Sequence, residues 1–374
     1  ASGDNYMDMS AITPSTMQLN RLKWETTTEY NTGLDASFLK GKLRFTVDVY
    51  QKYIKDLLQK KVKMPTSIGY GNGYEVSYMN SGKMTNKGWE FRVDAVPFEN
   101  RDWRVGFYFN IAHNENKITE MPDNYTEENY TFNNGEYAYR REEGRPMGSF
   151  YGYRYKGVCQ NKDATYARDA DGNVMKDISG NAIVMRNGTA TIAPGDALYE
   201  DINHDGVINQ YDIVYLGNSN PRFTGGAGVN VSYKQFKLSA IFYGRYGQDV
   251  VNSTRLNNES MRGIDNQSTA VLRRWRNEGD QTDIPRALYG EGYNTLGSDR
   301  FVEDASYLRL KSLSFNYRLP KKIIQRWGFS NIDVYVTGYN LFTWTKYTGQ
   351  DPEVKTENTY ARDSATTPAS IELV

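Results

Sequence analysis

The sequence is short of the residues that carry most enzyme chemistry. Its 374 residues include one cysteine, Cys159, and two histidines, His113 and His204. A single thiol excludes an internal disulfide and a thiolate metal cluster. Two imidazoles leave little for a zinc centre or a nucleophile–histidine–acid set, so no enzyme is expected. Charge of one sign is not in excess: 45 Lys and Arg face 45 Asp and Glu. Nucleic acid, which rewards a basic surplus, is therefore not an expected partner. No apolar run reaches the roughly 18 residues of a membrane-spanning helix, and mean hydropathy is -0.72. The opening residues, ASGDNYMDMS, lack the charged start and apolar stretch of a signal peptide. If the protein is exported, Ala1 is not its original start.

What is abundant is tyrosine, with 30 copies. Tyrosine suits places that are dry at one end and wet at the other, such as binding surfaces and membrane interfaces. Period-two alternation is equally plain. Tyr30, Thr32, Leu34, Ala36 and Phe38 alternate with Asn31, Gly33, Asp35 and Ser37. Leu43, Phe45, Val47 and Val49 form the next such set, then Trp89, Phe91, Val93 and Ala95, then Trp103, Val105, Phe107, Phe109 and Ile111. These are half-buried strands. Further strands are expected near 223–233, 236–246, 306–319 and 331–342. In YLRLKSLSFNYRL the phase changes, with Leu308 and Leu310 on one face and Leu313, Phe315 and Tyr317 on the other. A bulge, or a strand leaving the apolar layer, explains such a change.

The connections alternate in length. LKGK, PFENR and YKQF are tight, whereas long stretches follow the second and fourth strands and span 247–304. Short turns at one end and long loops at the other are the pattern of a transmembrane β-barrel. The expected fold is all-β: an antiparallel barrel portion of about eight strands, with long extracellular loops. The odd-numbered set Leu43–Val49 is expected to face lipid. GSFYGYRYKGV at 148–158 reads as a strand, but a lone crossing there would break the up–down parity of every later strand. It is placed in an extracellular region, 114–222, unless a second crossing strand lies within 160–220.

That region contains DINHDGVINQYD, residues 201–212. Asp201, Asn203 and Asp205 stand at alternate positions, Gly206 permits a sharp turn, and Asp212 closes the twelfth place. With the Val207 carbonyl they form an all-oxygen set suited to Ca2+, with Asn209 at the water-bridging place. His204 falls at a non-liganding place. The competing reading is an Asx-rich turn that satisfies its own backbone. Structural calcium is expected, pinning a loop region of low apolar content from outside the cell. DADGNV at 169–174 reads as a plain turn. GYGNGY at 69–74 lacks the strand-to-helix setting of a phosphate loop. Tyr125, Tyr130, Tyr137 and Tyr139 either stack on sugar rings or pack the loops together. Trp89, Trp103 and Trp344 are placed near strand ends, as interface-belt residues or ordinary packing.

Seven stretches in order carry a family resemblance: LKWETTTEYNTGLD (22–35), NKGWEFRVDA (86–95), EGRPMGSFYGY (143–153), PGDALYEDINHDGVI (194–208), NPRFTGGAGVNVSY (220–233), ASYLRLKSLSFNYRLP (305–320) and YNLFTWTKYTGQDPEV (339–354). Together they resemble the C-terminal barrel portion of the SusC/RagA family of TonB-dependent outer-membrane transporters, across nearly all of residues 1–374. The resemblance implies a larger, 22-stranded barrel with an N-terminal plug. It implies a SusD-like lipoprotein partner, energy from the TonB complex acting on the plug, and import of glycans or oligopeptides across the outer membrane of a Gram-negative bacterium. The plug, the earlier strands and a last strand ending in an aromatic residue are not recognised here. Both edges, at Tyr30–Phe38 and Asp333–Leu341, are therefore expected to pair with further strands of the same protein. The alternative is a surface β-protein, an adhesin or lectin, that binds glycan or protein without transport.

Overall fold

The computed structural model describes residues 3–6, 9–12, 22–63, 75–80, 82–121, 131–138, 140–290, 292–353, 356–357, 360–361 and 370–373; side chains are described for 22–58, 80, 82–121, 131–138, 140–290 and 292–353. Thus GYGNGY, Tyr125, Tyr130, Tyr139 and the terminal Val374 lie outside the described residues.

One antiparallel sheet of nine strands dominates, with neighbours following chain order. Its strands are β1 (Thr26–Phe38), β2 (Leu43–Lys55), β3 (Lys83–Glu99), β4 (Trp103–Glu120), β5 (Phe223–Tyr233), β6 (Phe236–Tyr246), β7 (Tyr307–Arg318), β8 (Asp333–Thr345) and β9 (Ser370–Leu373). Tight turns close one end. In the first, Leu39 and Lys40 adopt positive φ before Gly41, and in the third Lys234 does so. The longer link 319–332 also leaves the sheet at this end, beside the β5–β6 turn, and β2, β4, β6 and β8 run out at the opposite end.

The alternation read in the sequence becomes one continuous apolar face. Val47 pairs with Leu34 and Phe91, Val93 with Phe45 and Phe109, and Ala227 with Phe109 and Phe242. Leu34, Phe38, Val49, Phe107, Val229, Leu238, Phe315 and Val336 on this face are exposed. Leu43, Phe45, Val47 and Val49 thus lie on an open surface, not in a closed core. The phase change in β7 is a bulge. Ile241 pairs with Ser312 but Phe242 with Leu310, leaving Lys311 without a partner on β6. The extra residue returns Leu308 and Leu310 to the face that carries Leu313 and Phe315.

Aromatic rungs border this face. At the tight-turn end Trp103 packs on Tyr233 with ring centroids 4.3 Å apart, and Phe236 on Tyr317 at 4.7 Å. At the opposite end Trp89 and His113 flank Phe223 at 6.2 and 5.2 Å, and Tyr246 follows at 6.5 Å. Along β5 the rungs are Phe223 and Tyr233, the two ends of an 11-residue strand. Roughly 9–11 tilted residues cross a bilayer core.

Three expectations need correction. β3 and β4 have 17 and 18 residues and run past the apolar band, so Trp89 is interior to its strand. Their extensions carry polar pairs such as Lys87–Glu115, 3.0 Å apart, and polar residues on both faces leave no period to read. Secondly, a last strand is present: Ser370–Leu373 pairs with Val336–Tyr339. The edge at β8 is thereby partly covered within the chain itself. Thirdly, the long connections are not poor in apolar residues: most of the buried apolar side chains lie there rather than in the sheet.

Candidate functional site

Residues 131–222, 247–305 and 346–353 form a cap at the long-connection end. It reaches further than the 114–222 expected, because residues up to Glu120 belong to β4 and because 247–305 packs into the same structure. The segment at 148–158 does not join the large sheet. Ser149–Gly152 pairs with Val214–Asn218, and Tyr155–Val158 pairs with Ala197–Tyr199. No further crossing strand occurs within 160–220; its pieces are strands of two to five residues.

Tyr151, Tyr153, Tyr199, Ile208, Ile213 and Leu296 share the main buried cluster of the cap. A second joins Tyr137, Phe150, Val251, Leu256 and Phe301. Part of the tyrosine excess is therefore core rather than binding surface. Tyr137 is buried and donates its hydroxyl to the Ser298 carbonyl at 2.8 Å, so it packs loops together. Burial pushes the phenol of Tyr199 far up, although its oxygen accepts the Leu296 N–H at 3.0 Å. The cap is stitched to β4 where Ile118 N–H donates to the Arg145 carbonyl (3.0 Å) and Met147 N–H to the Asn116 side chain (2.7 Å).

The calcium-type loop is part of this core, not a loose excursion. Val207 and Ile208 pair in parallel with Arg186 and Asn187, and Ile208 is fully buried. The low apolar content expected of the region is corrected accordingly: short strands hide their apolar residues from any periodicity. Gly206 holds φ +80 at the sharp turn. Asp201 accepts the Gly206 N–H at 2.7 Å and the Asp205 N–H at 3.3 Å. Asn203 accepts the Asp205 N–H at 3.2 Å, and Asp205 the Val207 N–H at 2.8 Å and the Asn203 amide at 2.9 Å. Asp212 reaches back across the loop to the N–H groups of Ile202 and Asn209, both at 2.8 Å. Asn209 caps the following turn, its oxygen accepting from Tyr211 while its amide donates to the Val207 carbonyl at 3.0 Å. His204 points to the Arg168 carbonyl at 3.3 Å.

Asp212 is fully buried. Burial pushes its carboxyl above the usual range, the backbone N–H donors oppose this, and the negative charge of Asp201 adds to it. A cation between the two would reverse that direction. Among the described residues, no three or more His, Cys, Asp and Glu side chains converge on one ion position. A hard cation here would need the Asn203 and Val207 oxygens as well. Asp169 and Asp177, by contrast, each close an ordinary Asx turn onto N–H groups two and four residues ahead.

Sequence reasoning missed a buried ion network at the cap–sheet junction. Arg309 of β7 binds Asp351, Glu353 at 2.8 Å and Thr343 at 2.9 Å, and Lys311 joins Glu353 at 2.7 Å. Nearby, Arg300 binds Glu259 at 2.8 Å, and Arg255 binds both Glu259 and Glu303. No local signal marks these pairs, whose members lie up to 48 residues apart.

Residues 2–341 match the family described as TonB dependent receptor-like, beta-barrel. TonB-dependent receptor P3 of Formosa agariphila is 32% identical over 349 residues, covering 91% of this chain and 32% of that protein. TonB-dependent receptor SusC of Bacteroides thetaiotaomicron is 28% identical over 363 residues, covering 94% of this chain and 32% of that protein. The structure of the RagAB peptide transporter superposes with a TM-score of 0.66 at 26% identity, covering 94% of this chain and 35% of that one. The chain thus spans about a third of the length of the relatives it matches, and those relatives are receptors and transporters rather than enzymes. A nine-strand meander, one apolar face and a cap at one end agree with that match: this chain belongs to the β-barrel of the TonB-dependent receptors, within their SusC/RagA-like group.

Proposed function

We propose that this chain is the C-terminal part of an outer-membrane importer of glycans or oligopeptides. The importer works with a SusD-like surface lipoprotein and draws energy from TonB through a plug. The observation that carries this reading is the apolar face between two aromatic rungs. Its height matches a bilayer, and its open side needs lipid rather than a second sheet. Tight turns then lie in the periplasm and the cap lies outside the cell. Support for the cargo comes from the relatives: one structure at 26% identity is described as a peptide transporter.

Topology is tested by cysteine labelling of whole cells. Ile178→Cys, at a fully exposed turn of the cap, is expected to react with a membrane-impermeant maleimide. Lys234→Cys, in a tight turn, is expected to react only after the outer membrane is permeabilised. Cys159 is fully buried and its thiol is pushed up to about 11 by that burial, so it stays silent. Equal labelling of both sites on intact cells would sink the orientation. Cargo class is read from growth of a gene-deleted strain on single glycans and on single oligopeptides. Undiminished growth on all of them would exclude import.

The loop Asp201, Asn203, Asp205, Val207 and Asp212 binds Ca2+ as a structural ion in this reading. What supports it is a buried carboxylate, Asp212, raised by burial and by Asp201, beside a ring of oxygen donors. External calcium would fill even a weak site of about 10⁻⁴–10⁻³ M. Since Ile208 anchors the loop in the core, the effect is confined to residues near 201–207. Chelator is expected to speed proteolysis there, Asp205→Ala to reproduce that state in calcium, and the rest of the cap to be indifferent. Cleavage that ignores both calcium and the substitution leaves only an Asx turn.

A further inference from the structure

The apolar face is not uniformly covered. On β5 and β6, Gly225 and Gly244 sit opposite each other on this face. Their rung continues to Ile111 on β4, Leu308 on β7 and Trp344 on β8. Two adjacent positions without side chains leave bare backbone as a floor. The rung toward the cap, Phe223 and Tyr246, forms one wall, and Phe109, Ala227 and Phe242 form the other. The result is an apolar groove of about 680 Å³ that also touches Asp304, Ser306 and Lys346 at its cap-side rim. Neither glycine is free to gain a side chain, because a Cβ at Gly225 would press on the Asn110 carbonyl and one at Gly244 on the Tyr307 carbonyl. Sheet pairing therefore keeps the groove open.

Resting on the membrane placement proposed above, we infer that this groove holds an acyl chain of a phosphorylated outer-leaflet lipid, with its phosphate against Lys346. Three observations select that occupant. The groove opens on the face assigned to lipid, and it is continuous with it. It lies beside the cap-side aromatic rung, the depth at which acyl chains meet headgroups. Its rim carries Lys346, exposed and without an ion pair among the described residues; Arg222, exposed beside Phe223, adds a second cation. The Asp304 carboxylate on the same rim accepts the Ser306 N–H at 2.9 Å and the Ser306 hydroxyl and keeps its charge, so two cations against one anion leave the rim net positive. An unfilled groove would leave its aromatic walls without contacts on one side, and a seated acyl chain restores those dispersion contacts.

The test uses the full-length receptor purified from outer membranes in mild detergent, with lipid phosphorus and native mass read after exhaustive detergent exchange. Wild type is expected to retain stoichiometric phosphorylated lipid. Ala227→Phe, which fills the groove from its wall, is expected to lose it. Lys346→Glu is expected to lose it at least tenfold faster during exchange. Heat-modifiable migration and outer-membrane fractionation are followed in parallel. A receptor found in the outer membrane and heat-modifiable, yet free of lipid or retaining it equally in both variants, overturns the lipid site alone. Loss of membrane fractionation in the wild type overturns the barrel reading beneath it. A shift in oligomeric mass on Ala227→Phe, with no lipid in the wild type, also overturns it and assigns the groove to a second copy of the chain.

Discussion

Replacing Arg309 by leucine is expected to cost about 3–5 kcal/mol, the usual penalty for removing one partner of a buried ion pair. The side chain of Arg309 is 2% exposed and that of Asp351 is 5% exposed, so neither charge has water to fall back on. Arg309 also joins β7 to Glu353 and to Thr343 on β8, which ties the segment after β8 down against the sheet wall. The substitution strips the guanidinium from Asp351, while Lys311 still holds Glu353. Proteolysis within 346–353 is expected to accelerate, and the heat-modification midpoint of the receptor to fall. A second replacement, Asp351→Leu, is expected to recover much of the loss, because removing both charges ends the desolvation cost together with the attraction. If the single and double variants unfold alike, the pair is not what holds this segment.

Val93→Arg is expected to cost about 2–4 kcal/mol, the penalty for a basic residue on the lipid face near mid-bilayer. Val93 lies between Phe45 and Phe109, midway between the aromatic rungs. Asn110→Arg, one position from Phe109 on the same strand, points to the opposite face, beside Asp48 and Glu90. That substitution is expected to be tolerated. Assembly into the outer membrane, scored by heat-modifiable migration, separates the two. A surface adhesin built as a water-soluble sandwich would bury the apolar face against protein and expose the polar one to water. Equal losses in both variants would sink the idea that the two faces meet different solvents.

Much of the sheet was legible in advance, because a strand with unlike neighbours on its two faces must alternate. Leu43–Val49, Trp89–Ala95 and Trp103–Ile111 announce their strands, and the lengths of the connections between them announce which end is tight. The sharp turn in 201–212 was likewise readable, since Gly206 stands where positive φ is needed and Asp201, Asn203 and Asp205 reach N–H groups two to five residues ahead. Those features are local: each is set by residues within a dozen positions of one another.

What the tertiary structure alone decided is non-local. Lys311 is a bulge only because Ile241 and Phe242 pair across it, so Leu308 and Phe315 share a face that their own spacing denies. The extensions of β3 and β4 beyond the apolar band carry polar residues on both sides and show no period, yet they pair all the way to Lys83 and Glu120. The cap holds its core with strands too short to alternate, joining Tyr151 to Leu296 and Ile208 to Asn187 over long stretches of chain. Arg309 and Asp351 are ordinary charges in the sequence, and only the fold that buries both makes them a pair. The groove over Gly225 and Gly244 exists because two glycines from adjacent strands come to the same rung, a coincidence of register that composition cannot show.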